Sequence, residues 1–121
     1  MVKYQARITH IGPHVSEFVE EKVLVFFGSD APEELAEFAI LHDGKVMEGQ
    51  LVPGDTIFLG DEGFAVLAVG EVANSNLANL GHLVVKVNGQ SEPEMPGDVC
   101  VEAKPLPPIE VGMLVRIEES K

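Results

Sequence analysis

Turn-forming residues divide the chain into short apolar segments, and this pattern limits its possible folds more than any other feature. The clearest interruptions are Gly12-Pro13, Pro53-Gly54-Asp55, Gly60-Asp61-Glu62-Gly63 and Asn88-Gly89. Each of these residue types fits a turn for its own conformational reason, and short apolar segments between turns are typical of strands. We therefore predict strands over residues 4–11, 23–27, 45–52, 56–59, 64–72, 82–87, 98–103 and 113–118.

Two short helices are predicted between these strands. Asp30 or Ala31 can cap the first helix, and its apolar stripe consists of Leu35, Phe38 and Ala39, spaced i, i+3, i+4. Asn74 can cap the second helix, and Gly81 follows its C-terminal end.

Many short strands with two small helices imply an all-β fold. Hydrophobic residues make up 45% of the 121 residues, which is enough for a core. A chain of this length suits one domain over residues 1–121. A small closed barrel or a barrel-sandwich is the expected architecture, because closure hides the unpaired edges of the strands.

The charge of the chain excludes one class of partner. Twenty acidic residues stand against eight basic ones, giving a formal net charge of −12. A nucleic-acid partner is not expected, because neutralising phosphates requires clustered lysine and arginine. The acidic surface fits a cytoplasmic protein that meets a basic protein partner. A surface that is acidic only for solubility is the alternative interpretation.

The sequence contains no pattern typical of a membrane span or of a signal peptide. No apolar run approaches the ~20 residues of a membrane span, and residues 1–5 do not begin a signal peptide. Cys100 is the only cysteine, so no intrachain disulfide is possible, and its predicted strand favours a core position. We expect a cytoplasmic protein without direct membrane insertion.

His42 is the candidate nucleophile. An apolar run over residues 38–41 leads into it, and Asp43-Gly44 then forms a turn, where packed structure meets solvent. With an ordinary pKa of ~6.5, an imidazole is largely neutral and nucleophilic near neutral pH. One ring nitrogen can then accept a phosphoryl group while a partner holds the other. An ordinary surface histidine is the competing interpretation.

His82 and Lys86 are candidates for stabilising phosphate. In a strand over residues 82–87 they lie on one face together with Val84, so they could line a polar site. We expect His82 to approach His42. The alternative is a capping or half-buried histidine.

Other sequence signals for a bound cofactor are weak. His10 and His14 flank a turn, but two histidines without a nearby cysteine or helical spacing indicate no metal site. The chain has neither the G-x-x-x-x-G-K-[ST] nor the G-x-G-x-x-G pattern. We expect no cofactor and no metal, and any phosphate would come from another protein.

Glu33, Glu34 and Glu37 form an acidic cluster on the first predicted helix. The simplest interpretation is a solvated helix face. Because this helix leads to His42, the same residues are our candidates for docking a basic partner.

The chain resembles the glucitol/sorbitol-specific enzyme IIA component of the bacterial phosphotransferase system. The resemblance is close to full length and rests on several blocks in the right order. They are Val25-Phe26-Phe27-Gly28, Ala31-Pro32, Glu37-Phe38, His42, Pro53-Gly54, Leu59-Gly60, Ala68-Val69-Gly70, Asn76-Leu77, Leu80-Gly81-His82 and Glu94-Met95-Pro96-Gly97.

This resemblance implies a phosphotransferase component with a small closed β-barrel. The histidine at position 42 would receive a phosphoryl group from the histidine-containing phosphocarrier protein. It would pass the group to a cysteine of the IIB part of a hexitol transporter, whose IIB and IIC parts phosphorylate the sugar alcohol on entry. The alternative is a non-catalytic binding or regulatory module that keeps the same barrel.

Overall fold

Eight strands close into a barrel in the computed structural model, which describes residues 1–119. The strands are β1 (Val2–Ile11), β2 (Val23–Gly28), β3 (Ile40–His42), β4 (Thr56–Leu59), β5 (Glu62–Val69), β6 (Leu83–Lys86), β7 (Asp98–Val101) and β8 (Leu114–Glu118). The helices are α1 (Val15–Glu20), α2 (Glu33–Ala36) and α3 (Ala73–Leu80). The predicted all-β closed barrel is confirmed. It has three helices where two were predicted, and α1 is the additional one.

The strand order around the barrel is β1-β3-β2-β6-β7-β5-β4-β8, and β8 pairs again with β1. The pairs β2–β3 and β6–β7 are parallel, and the other six are antiparallel. A parallel pair needs a crossover connection, and the segment containing α2 provides it between β2 and β3. No helix within residues 1–119 is long and apolar enough to cross a membrane.

Alternation along the strands fills the interior. In β2, Leu24 and Phe26 are buried, whereas Val23, Val25 and Phe27 are half-buried on the outside. Side chains in a strand point to opposite faces in turn, so one face of each strand supplies the core. Cys100 is fully buried in β7, as its strand position predicted.

The predicted strand over residues 45–52 is wrong. This segment is irregular: the Glu48 amide donates to the Lys3 carbonyl of β1 (2.8 Å), but no continuous ladder forms, and other backbone groups bind side chains. The Leu51 amide donates to Asn74 Oδ1 (2.7 Å), and Asn74 Nδ2 donates to the Leu51 carbonyl (2.9 Å). The predicted helix-capping role of Asn74 is therefore also wrong: α3 has Val72 at its N-cap position, with no side-chain cap.

A buried ion pair anchors the same segment to the barrel. Lys3 Nζ on β1 donates to Asp55 Oδ2 (2.8 Å) and to the Gln50 carbonyl (2.7 Å). Both charged side chains are buried, at 8% and 3% exposure. Removing either partner would leave an unpaired buried charge, so the pair fixes where the chain after β3 returns to the barrel.

The first predicted helix is shorter than its sequence pattern indicates. α2 has four residues, with Pro32 at the N-cap position and no side-chain cap, so neither Asp30 nor Ala31 caps it. Only Ala39 of its apolar stripe is buried: Leu35 is 42% exposed and Phe38 is 43% exposed. The helix ends early because the chain must become extended at Ile40 to pair with β2.

Candidate functional site

His42 ends β3, opposite Gly28 of the parallel neighbour β2. The residue is only 2% exposed. Its ring packs edge-on against Tyr4, with ring centroids 5.8 Å apart, and lies 6.3 Å from the ring of Phe26. Both aromatic residues belong to the core, so His42 lies on the inner face of the barrel wall.

Two backbone groups hold the ring nitrogens of His42. The Gly44 amide donates to Nδ1 (3.0 Å), and Nε2 lies 2.8 Å from the Gly81 carbonyl oxygen. A backbone amide only donates and a carbonyl only accepts. The arrangement therefore selects the neutral ring with its proton on Nε2 and its lone pair on Nδ1.

The ring of His42 can reach the Gly81 carbonyl because glycine has no side chain. A Cβ added at Gly81 would lie 2.8 Å from the Gly28 nitrogen and 3.0 Å from His42 Cε1. Gly81 also has a φ of 64° at the C-terminal cap of α3, a left-handed conformation that suits glycine. Glycine at 81 thus meets two requirements: it ends the helix and leaves room for the imidazole.

Burial lowers the pKa of His42 below its ordinary value, because desolvation penalises the cation. The hydrogen bond to the Gly81 carbonyl and the charge of Asp43 act in the opposite direction but are smaller. The ring is therefore neutral at pH 7, which is the form that can act as a nucleophile.

A polar cavity of about 350 Å³ lies against His42. Its wall includes Ser29, Asp30, Asp43, Lys45 and Asn79. Hydroxyl, ammonium and amide groups are donors suited to phosphoryl oxygens. Sequence reasoning missed Ser29, Lys45 and Asn79; the signal available for Lys45 was its position three residues after the candidate nucleophile.

His82 directly follows Gly81, whose carbonyl contacts His42. Its side chain, however, lies on the outer face of the barrel wall. Its ring stacks on Phe27 at 4.1 Å, and Nδ1 donates to the Phe26 carbonyl (3.2 Å). His82 is absent from the wall of the cavity beside His42. The expected approach of its ring to His42 therefore finds no support in this placement.

Lys86 is likewise outside this cavity. Its Nζ lies 2.8 Å from Asp98 Oδ2 and 3.6 Å from Glu94 Oε1. The hydrogen bond to Asp98 is the main cause of its raised pKa. Asp98 is buried and also accepts the Met95 amide (3.0 Å), so Lys86 anchors the loop before β7.

The acidic candidates lie on an exposed surface. Glu33 and Glu34 form the first turn of α2, and Glu37 is its C-terminal cap residue. All three are exposed. The cavity wall at residues 28–30 ends three residues before the first residue of this helix.

The two histidines considered for a metal have other surroundings. His14 Nδ1 lies 2.7 Å from Glu17 Oε2, and its ring stacks on Phe38 at 5.2 Å. His10 is exposed on β1. Among residues 1–119, no group of three or more histidine, cysteine, aspartate or glutamate side chains could hold a metal ion.

Known proteins share both the sequence and the fold. The family described as the PTS system glucitol/sorbitol-specific IIA component matches residues 3–116. The chain is 37% identical over 121 residues to the PTS glucitol/sorbitol-specific EIIA component of Shigella flexneri and, equally, to that of Escherichia coli (strain K12). Each alignment covers 99% of this chain and 98% of the relative.

A solved structure agrees with these matches. The crystal structure of a PTS system IIA component from Enterococcus faecalis V583 superposes with a TM-score of 0.79 and 27% identity. The superposition covers 92% of this chain and 96% of the other. Sequence and fold agree over nearly the whole length, and the chain belongs to the glucitol/sorbitol-specific IIA component family of the phosphotransferase system (PTS).

Proposed function

We propose that His42 carries the phosphoryl group in the phosphocarrier role that membership of this PTS family gives the protein in sugar transport. The donor is the histidine-containing phosphocarrier protein, and the acceptor is the IIB cysteine of a glucitol/sorbitol transporter. Residues 1–121 act as one phosphocarrier domain in the cytoplasm, without a cofactor. The observation that carries this proposal is the neutral, positioned imidazole of His42 beside a polar cavity.

The first step requires a ring nitrogen of His42 to attack phosphorus. A new N–P bond forms while the P–N bond to the donor imidazole breaks, and that bond's electron pair returns to the donor ring. In the resting geometry both nitrogens are engaged, by the Gly44 amide and the Gly81 carbonyl. The ring lone pair is on Nδ1, so the hydrogen bond from the Gly44 amide must open before attack, and that amide is then free to reorient.

In the second step the phosphoryl group leaves His42 for the IIB cysteine. The IIB thiolate attacks phosphorus, a P–S bond forms, and the electron pair of the P–N bond returns to the ring of His42. Asp30 and Asp43 lie in the same cavity wall. Their negative charges disfavour a lasting phosphoryl group, which suits a carrier that must release it. The chemistry otherwise needs positioning and charge stabilisation.

The decisive experiment is incubation with phosphoenolpyruvate and the general PTS proteins, followed by intact mass. The wild type should gain one acid-labile phosphoryl group, and His42→Gln should gain none. The matched controls His10→Gln and His14→Gln should behave as wild type, because both residues lie outside the cavity wall. A folded wild-type protein that gains no phosphoryl group would favour the alternative of a non-catalytic module with this barrel.

Docking of a basic donor is the proposed role of Glu33, Glu34 and Glu37. With a net charge of −12, transfer should slow as added salt shortens the Debye length from ~30 to ~10 Å. Changing all three residues to glutamine should reduce that salt dependence. The control changes Glu110, Glu118 and Glu119 to glutamine, which removes the same charge from the C-terminal part of the chain. Equal salt dependence in both variants would count against this docking surface.

A further inference from the structure

The basic side chains of this acidic protein are mostly committed to other contacts. Lys3, Lys86, Lys104 and Arg116 pair with carboxylates, at distances from 2.8 to 3.9 Å. Arg7 donates to the Gly112 carbonyl (2.9 Å). Lys22 and Lys45 are the lysines of residues 1–119 that have no carboxylate within 4.0 Å in that part of the chain.

These two lysines differ in their position relative to His42. Lys45 lies in the wall of the cavity beside His42, one residue after the Gly44 amide that holds Nδ1. Lys22 lies before the first residue of β2, whereas Gly28, which faces His42, ends that strand. Lys45 is thus the basic residue that the described chain brings to the reacting histidine.

We propose that Lys45 binds the phosphoryl oxygens during transfer to and from His42, and so acts as a catalytic residue. This inference rests on the proposed function. The ammonium group is a point charge with three rotatable donors, so it can follow the phosphoryl group as it moves between partners. The Asp30 and Asp43 carboxylates in the same wall would otherwise leave a net negative surrounding for a dianionic group.

This role explains how the cavity could serve both transfer steps. One exposed lysine stabilises the transferring group without trapping it, because its ammonium remains in contact with water. The contact is strongest when the phosphoryl charge is spread over its oxygens in the transition state. A buried arginine cluster would bind the ground state as tightly and would slow release.

The test compares Lys45→Met, Lys45→Arg and the matched control Lys22→Met, which removes the same charge at a distance. Two phosphoryl donors are used: the phosphorylated donor protein, and phosphoramidate, a small donor that needs no protein docking. Phosphorylation of His42 by Lys45→Met should be slower by about tenfold or more with both donors. Lys45→Arg should recover most of the rate, and Lys22→Met should match wild type with phosphoramidate.

The outcomes separate this inference from the proposed function. If wild type accepts phosphate and Lys45→Met matches it with both donors, Lys45 has no such role and the phosphocarrier function stands. If Lys45→Met is slow only with the protein donor, Lys45 contributes to docking and the inference is overturned. If wild type accepts no phosphate from the donor protein, the proposed function itself fails. Circular dichroism of each variant confirms that it is folded.

Discussion

His42 and His82 lie on either side of β2 but on opposite faces of the barrel wall. The ring of His42 points inward between Tyr4 and Phe26, and backbone groups hold both of its nitrogens. The ring of His82 lies outside, stacked on Phe27, and one of its nitrogens has a backbone partner. The same residue type is thus a fixed, neutral base at one position and a packing group at the other.

The comparison shows that a short segment can serve a site through its backbone rather than its side chain. The Gly81 carbonyl accepts the Nε2 hydrogen of His42, while the next side chain, that of His82, turns away. Within the sequence Leu80-Gly81-His82, the histidine was the residue expected to approach His42. In the folded chain the glycine makes the contact, because only a residue without Cβ fits against Gly28 and the imidazole.

The largest predicted effect comes from Gly81→Ala, which would break the backbone contact. Its Cβ would lie 3.0 Å from His42 Cε1 and 2.8 Å from the Gly28 nitrogen. The control Gly60→Ala has a similar φ, 63°, but its nearest neighbour is a flexible Met113 side chain at 3.7 Å. In both variants the strain of a left-handed alanine should lower the free energy of unfolding by about 1–2 kcal/mol.

Gly81→Ala should lose about 1–3 kcal/mol more from overpacking. His42 should also accept the phosphoryl group more slowly in Gly81→Ala, whereas Gly60→Ala should keep the wild-type rate. Urea unfolding and the phosphorylation assay measure the two effects. Equal stability and equal rates in the two variants would show that the approach of His42 to Gly81 is unimportant.

A smaller effect should appear in the pH dependence of stability. Burial lowers the pKa of His42 in the folded protein below the ~6.5 of the unfolded chain. Between the two values the unfolded chain binds more protons, so acidification below about pH 6.5 should destabilise the folded state. The loss is bounded by about 1.4 kcal/mol per pH unit for one proton.

Urea unfolding of wild type and His42→Gln between pH 7.5 and 5 tests this linkage. The wild type should lose stability relative to the variant as the pH falls, because the variant lacks the titrating ring. Parallel curves for the two proteins would mean that the imidazole is not held in a desolvated, neutral state.

The smallest effect is expected for His82→Gln. Glutamine keeps a donor for the Phe26 carbonyl but loses the stacked contact with Phe27, which costs about 0.5–1.5 kcal/mol. Phosphoryl acceptance and onward transfer should both stay within about twofold of wild type, a change of ~0.4 kcal/mol. Onward transfer that slows much more than acceptance would instead assign His82 to the phosphorylated state.

The strands show how far local sequence reasoning extends. β4 (Thr56–Leu59) has its predicted limits, and β8 (Leu114–Glu118) begins one residue later than predicted. The segment over residues 45–52 is also partly apolar but forms no strand. There the Leu51 backbone binds Asn74, 23 residues away, and the Glu48 amide donates to the Lys3 carbonyl; a local pattern encodes neither partner.

The candidate site divides in the same way. Position and residue type were enough to make His42 a candidate, and the family resemblance strengthened it. The choice of His82 and Lys86 as its neighbours followed strand periodicity, which predicts which side chains share a face. Periodicity does not determine which face meets the ring of His42, and Lys86 instead pairs with Asp98.

The sequence by itself determined the all-β class, most strand positions and the candidate nucleophile, because turn chemistry and apolar alternation act between residues close in the chain. Only the tertiary structure decided the strand order and the neutral tautomer of His42. It also decided that Lys45, rather than Lys86, lies in the wall of the cavity beside His42. These features depend on segments far apart in sequence, such as Gly44 and Gly81, which meet at one imidazole only when the barrel closes.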